Sequence, residues 1–227
     1  MSRPVYTTFS KAVMVIGLIV ALLCIAAIES STRADAVASV PVAERVAIPE
    51  QSARYRIALE REAAAQFGLD APVARVAGQI HQESLWDASA ESPFAQGLAQ
   101  FTPSTAHWLP DVCPDVGPPD TWDAAWSLRA ITCYDRYLYD RLNAASECDR
   151  WAFTLSAYNG GLGMLNRERT RASTTGVEAA RWFEHVERFS ARSRPAFAEN
   201  RAYVRRILYV LEPSYVAAGW PGEAACP

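Results

Sequence analysis

The chain has 227 residues, half of them apolar, enough for one domain with a well-filled core and a tail but too few for two full domains. A net charge of −3 supplies no basic excess of the kind nucleic-acid binding calls for. Nearly all the cations are arginines, Lys11 being the single lysine.

Residues 1–36 read as a segment outside the fold. Arg3 and Lys11 precede an apolar run over 12–28, slightly long for a signal-peptide core and slightly short for a spanning helix. Ala34-Asp35-Ala36 offers a small-x-small cleavage pattern, approached through the charges of Glu29, Arg33 and Asp35. Cleaved, the run is a signal peptide. Retained, it is a signal anchor with Arg3 and Lys11 on the cytoplasmic side. Either outcome sends the remaining chain across the membrane, so the expected location is the periplasm or cell envelope, exported or inner-membrane anchored. Cys24 lies in the run without the small residues of a lipidation site and reads as a buried thiol. Residues 37–50, with Pro41 and Pro49, read as a linker, and 51–227 as the globular domain.

The spacing predicts a helix over 51–67, ended by Gly68. The next helix carries Asp70 as N-cap and Pro72 in its first turn. Val73, Val76, Ala77, Ile80 and Ser84 share one stripe, and Arg75, Gln79 and Gln82 point the other way. Glu83 falls on the edge of the apolar stripe, where partial desolvation raises a carboxyl's pKa and lets it hold a proton near neutral pH. Ser92-Pro93 and Gly97 mark a turn and a close backbone approach, 97–101 a short extended piece, and Thr102-Pro103 the cap and first turn of another helix. Residues 107–119, rich in Pro and Asp, read as a surface connection. Thr121 caps a helix over 122–144, the best candidate for the central one, with Trp126, Ala130, Cys133, Tyr137 and Leu138 at helical spacing. Asp149 opens a helix that Gly160-Gly161 ends; 162–171 and 177–188 read as two shorter helices. Pro195 starts the last, with Phe197, Val204, Ile207, Leu208 and Leu211 toward the core and Glu199 and Tyr203 on another face. The class is therefore mainly α, with at most a small hairpin near 92–101.

Taken alone, Glu83 is one of many helix glutamates, most of which are solvated surface groups. Three motifs in series change its weight. Glu83-Ser84, Trp86, Ala90, Ser92-Pro93, Gly97-Leu98, Gln100, Pro103 and Thr105-Ala106 come first, then Ala157-Tyr158-Asn159-Gly160-Gly161, then Glu199-Asn-Arg-Ala-Tyr-Val204. Together they resemble the soluble lytic transglycosylase family, relatives of goose-type lysozyme, over most of the globular chain. The loop departs from the family's Ser-Pro-x-Gly-Ala-x-Gly-Leu-Met-Gln: Ser92 to Gln100 is one residue shorter, lacks the first glycine, and has Ala99 in place of Met.

The resemblance implies a lysozyme-like single domain and a peptidoglycan-cleaving enzyme without cofactor. In that family one Glu, here Glu83, protonates the bond between N-acetylmuramic acid and N-acetylglucosamine. As a carboxylate it then deprotonates the muramic C6 hydroxyl, leaving a 1,6-anhydro end. Ser84 and Gln100 are the implied groups around acid and sugar, Tyr158 and Asn159 hold the sugar, and Glu199 with Tyr203 complete the wall, Tyr203 nearest to Glu83. A hydrolytic muramidase on the same fold is the rival, with Asp87, Glu91 or Asp111 as second carboxylate. A third reading is a peptidoglycan-binding scaffold whose shortened loop has spoiled the site. The expected partners are glycan strands, the membrane if the N-terminal run is retained, and envelope or phage-lysis machinery.

Cys113, Cys133, Cys148 and Cys226 are even in number, which in an exported domain suggests two disulfides with three pairings open. Cys113–Cys133 with Cys148–Cys226 is preferred, since the second bond ties down the tail. A zinc site is disfavoured: no CxxC pair is present, and His81, His107 and His185 are scattered.

Overall fold

A computed structural model describes residues 46–226; the apolar run, Cys24, the cleavage pattern and residues 37–45 of the linker lie outside the described residues. A 3-10 segment at Glu50–Tyr55 leads into α1 (Arg56–Phe67), followed by α2 (Val73–Ser84), α3 (Pro103–Trp108), α4 (Ala124–Asp140) and α5 (Glu147–Gly160). Then come α6 (Leu162–Thr174) and α7 (Arg194–Arg206), which passes through a π turn at Ile207–Leu211 into α8 (Glu212–Ala217). Among the described residues, strand-like pairing is limited to two isolated antiparallel bridges, Glu91 with Gln96 and Gln96 with Phe101. No described helix is long and apolar enough to cross a membrane. Both preferred disulfides are present, Cys113–Cys133 and Cys148–Cys226.

α2 is enclosed on all sides: every residue from Val73 to His81 is buried. This corrects the expected wet face of Arg75 and Gln79. Arg75 is neutralised by Glu212 at 2.6 Å and lies 4.3 Å from the ring centre of Trp151, while Gln79 donates to Asp135 at 3.3 Å. A cation held against a carboxylate can be buried where an unpaired one cannot. Gly78 allows the crossing with the π turn, since a Cβ there would stand 3.1 Å from the Leu211 Cβ.

Several helix starts move because tertiary contacts outcompete local caps. Asp70 does not cap α2; the Ala74 N–H is taken by the Pro221 carbonyl at 2.8 Å instead. Thr121 does not cap α4, because its carbonyl receives the Ser127 hydroxyl, and Asp123 caps through the Ala125 N–H at 2.8 Å. Ser146 rather than Asp149 caps α5, freeing the Asp149 carboxylate to accept the Trp182 N–H at 2.8 Å. That contact also anchors 177–188 as turns around the fully buried Trp182, with only a 3-10 turn at Val186–Arg188 where a helix was expected. The 107–119 stretch is likewise no loose surface connection. It buries Leu109, Cys113 and Val116, with Cys113 bonded to Cys133. Thr102 caps α3 as the sequence suggests, accepting the Thr105 N–H at 3.2 Å.

The piece 97–101 is a tight reversal, not an extended strand. Gly97 (φ 77°) and Gln100 (φ 49°) both take the left-handed conformation, and this folds Leu98 and Ala99 fully inward. At Gly97 a Cβ would stand 1.7 Å from the Thr121 carbonyl oxygen, which is backbone and cannot swing away. Gly97→Ala is therefore expected to cost about 3 kcal/mol in a denaturant titration and to loosen the loop beside α2.

Candidate active site

α2 ends in an abrupt exit. Leu85 (φ 53°) and Trp86 (φ 65°) are consecutive left-handed residues, a conformation costing each of them on the order of 1–2 kcal/mol. Trp86 offsets this by complete burial, by donating its indole N–H to the Tyr215 hydroxyl at 2.6 Å, and by packing on Tyr55 and Trp220. The turn leaves Glu83 on the last turn of α2, at the wall of a cleft of about 550 Å³.

Gln82, Glu83, Phe94, Gln100, Phe101, Tyr134, Tyr158, Asn159, Glu199, Tyr203 and Arg206 are among the cleft's lining. Glu83 keeps part of its surface open to this space while protein packs closely around the carboxyl. Burial raises its pKa from the ordinary 4.5 to about 8; the Tyr203 hydrogen bond pulls the other way, and the nearby Asp135 and Glu199 charges add to the rise. The Tyr203 hydroxyl, on α7, donates to Glu83 Oε1 at 2.6 Å. Tyr203 and Tyr158 are both held well above the normal phenol range by burial and the negative neighbour, so they act as donors and do not ionise.

The remaining motif residues gather around the reversal at 97–101. The Ser84 hydroxyl donates to the Leu98 carbonyl at 2.7 Å, and Ser84 does not line the cleft. Tyr158 donates to the Ala99 carbonyl at 2.8 Å. Gln100 gives its amide hydrogens to the Ala90 and Gly97 carbonyls at 3.0 and 2.9 Å, leaving only its carbonyl oxygen unengaged. Residues from the first two motifs thus fasten the loop to α2 and α5 as well as facing the cleft. Asn159 donates a long bond of 3.4 Å to Glu199 on the exposed rim. Among the lining residues the carboxylates are Glu83 and Glu199; Asp87, Glu91 and Asp111 are all outside it.

Asp135 is the group that sequence reasoning missed. It is fully buried on α4, accepts from Gln79, and has its second oxygen without a partner. Burial raises its pKa to about 8, against the pull of Gln79 and Arg75. The signal was an acid within an apolar helix, obscured because the buried face is broader than the expected stripe. Trp126, Ala130 and Leu138 are buried as expected and Cys133 and Tyr137 only half-buried, but Leu128, Ile131, Tyr134 and Asp135 are inside as well.

Tyr203→Phe removes the bond that holds the Glu83 pKa down. The expected result is a Glu83 titration midpoint moved to higher pH, followed by carbon-13 at the glutamate side-chain carboxyl. A midpoint that moves down would show that the phenol is not acting on Glu83.

A larger cavity, about 740 Å³, opens at the opposite end of α2. Its arginines are engaged, Arg75 with Glu212 and Arg136 with Asp140, its Glu147 is bonded by the Tyr139 hydroxyl and the Trp151 indole, and residues 222–225 line it, so it reads as the seat of the C-terminal tail. Among the described residues no cluster of His, Cys, Asp and Glu could hold a metal ion.

Residues 59–180, more than half of the chain, match the family model of the transglycosylase SLT domain. The membrane-bound lytic murein transglycosylase F of Alcanivorax borkumensis is 32% identical over 130 residues, which are 56% of this chain and 26% of that protein. Its namesake in Shewanella frigidimarina is 33% identical over 110 residues, 48% of this chain and 22% of that protein. The chain thus spans about a quarter of the length of these relatives. The solved 70 kDa soluble lytic transglycosylase of Escherichia coli shares the fold, with a TM-score of 0.52 at 23% identity, covering 73% of this chain and 24% of that one.

Proposed function

Because the chain belongs to the transglycosylase SLT family, we propose that it is a peptidoglycan lytic transglycosylase in which Glu83 works first as acid and then as base. The observation that carries this reading is a carboxyl in a glycan-sized cleft whose pKa stands near 8 and whose Oε1 accepts the Tyr203 hydrogen bond. A carboxyl so placed is protonated at neutral pH, as a proton donor must be, and its pKa is close enough to ambient for the reverse transfer. With Oε1 engaged by the phenol, Oε2 is the oxygen left to carry the transferable proton.

The steps balance without water. Glu83 gives its proton to the oxygen bridging N-acetylmuramic acid and N-acetylglucosamine, and the bond from that oxygen to the muramic C1 breaks. The muramic C6 hydroxyl then attacks C1, closing the 1,6-anhydro ring, and its proton returns to Glu83. Gln100, Tyr158, Asn159, Glu199 and Tyr203 would form the sugar's surroundings, with Ser84 acting through the loop it latches. The two disulfides are of the kind that persists in an oxidising compartment, which supports an envelope location where peptidoglycan is reached.

Glu199 is the observation that favours a second reading. As the other carboxylate lining the cleft, it could direct a water to C1 and make the enzyme a hydrolase. The mass of the first disaccharide-peptide product decides. An anhydro product, lighter by one water than the hydrolytic one, is expected; a reducing end would move the assignment to a muramidase.

A further inference from the structure

Behind the wall that carries Asn159 lies a buried ionic cluster that the chemistry above does not use. Glu168 on α6 is fully buried and meets two guanidinium groups: Arg192 Nε donates to Oε1 at 2.8 Å, and Arg201 donates to Oε2 from Nη1 and Nη2, each at 3.1 Å. A carboxylate so enclosed fixes both cations, since breaking one contact leaves a charge unpaired in low dielectric. Arg201 Nη1 passes the constraint on by donating to Asn200 Oδ1 at 2.8 Å. The Ser156 hydroxyl donates to the same oxygen at 2.8 Å.

Asn200 is fully buried, and its amide is thereby oriented without ambiguity. Its oxygen receives Arg201 and Ser156, so its nitrogen must face the other way, where it donates to the Ser156 carbonyl at 3.0 Å and to Asn159 Oδ1 at 2.7 Å. Asn159 Oδ1 is therefore occupied from behind, and only Asn159 Nδ2 is left on the cleft side. Its bond to Glu199 is long, 3.4 Å, and Glu199 is exposed, so a ligand oxygen can displace it. Gly160 belongs to the same device: a Cβ there would stand 1.4 Å from Arg192 Nη1, so a side chain would push the guanidinium away from Glu168.

We infer that Glu168, Arg201 and Asn200 are positioning residues that lock the Asn159 amide with its N–H groups toward the cleft, making that wall accept a hydrogen-bond acceptor of the glycan and reject a donor. This rests on the glycan-cleaving reading for the nature of the ligand, but the lock itself does not.

Asn200→Asp is the discriminating change. It keeps the acceptor for Arg201 and Ser156 beside two guanidinium groups, and it replaces the donor facing Asn159 by an acceptor. The Asn159 amide should then turn over and present Oδ1 to the cleft. Two measurements on the full chain separate the lock from the ligand. In the first, the Asn159 side-chain amide signals, identified by their loss in Asn159→Ala, are expected to shift and broaden in Asn200→Asp while the protein stays folded, at a lowered thermal midpoint because the Ser156 carbonyl loses its donor. Unchanged signals would overturn the inference. In the second, binding of an N-acetylglucosamine oligomer is followed by tryptophan fluorescence in a Glu83→Gln background. A loss of about tenfold in affinity is expected for Asn200→Asp, with no further loss when Asn159→Ala is added. Equal losses in both backgrounds would overturn the inference. Oligomer binding absent already in the parent, with the amide signals still shifted by Asn200→Asp, would leave the lock standing and bring down the glycan reading.

Discussion

Glu83→Gln is expected to lower release of muropeptides from purified sacculi by about a thousandfold or more while the protein keeps its fold. The size follows from the double role proposed for it, in which the same side chain would give the proton that lets the leaving oxygen depart and take one back from the attacking hydroxyl. Glutamine can do neither. It can still accept the Tyr203 hydroxyl at the position where Oε1 now receives it at 2.6 Å, so the wall formed by α2 and α7 should stay closed. Near and above pH 8 the variant should even be the more stable protein, because it no longer contains a carboxyl whose ionisation is opposed by burial. Retained turnover would remove Glu83 from the chemistry. Lost turnover with a collapsed thermal midpoint would make it a structural group.

The second large effect is a stability that declines with rising pH. Glu83 and Asp135 both have folded-state pKa values raised to about 8, from 4.5 and 3.8. Between the ordinary carboxylate range and 8 the folded protein therefore binds more protons than the unfolded chain, and stability falls as pH rises through that window. Asp135 contributes the larger part, being wholly enclosed with one oxygen unpartnered, whereas Glu83 is partly open to the cleft. The thermal midpoint is expected to drop by about 10 °C between about pH 5 and about pH 8.5. Asp135→Asn, which mimics the neutral acid, should recover more than half of that loss. A midpoint that rises over the same interval would mean that both groups are ionised in the folded state.

The parts of this site that the sequence shows are those fixed by local pattern. Glu83 falls at the rim of the α2 stripe, Thr102-Pro103 starts α3, and an even set of cysteines, in a chain expected to be exported, suggests Cys148–Cys226 as a clasp for the tail. The rest depends on contacts between distant segments. Arg75 and Gln79 look solvated until Glu212 and Asp135 arrive beside them. Asp70 and Thr121 look like caps until Pro221 and Ser127 take over the relevant groups. Ser84 and Tyr158 sit in motifs whose spacing points to a site, but spacing does not say that their hydroxyls hold Leu98 and Ala99. Asp135 escaped because the buried face of α4 extends beyond Trp126, Ala130 and Leu138 to take in Ile131, Tyr134 and the acid itself.

The Glu83 carboxyl should be neutral in the free protein at physiological pH, and its charge can be read directly. With carbon-13 at the glutamate side-chain carboxyl, the Glu83 resonance, identified by its absence in Glu83→Gln, is followed across a pH titration. A midpoint near 8 is the result this structure predicts. A midpoint near 4.5, the ordinary value for a glutamate, would contradict it.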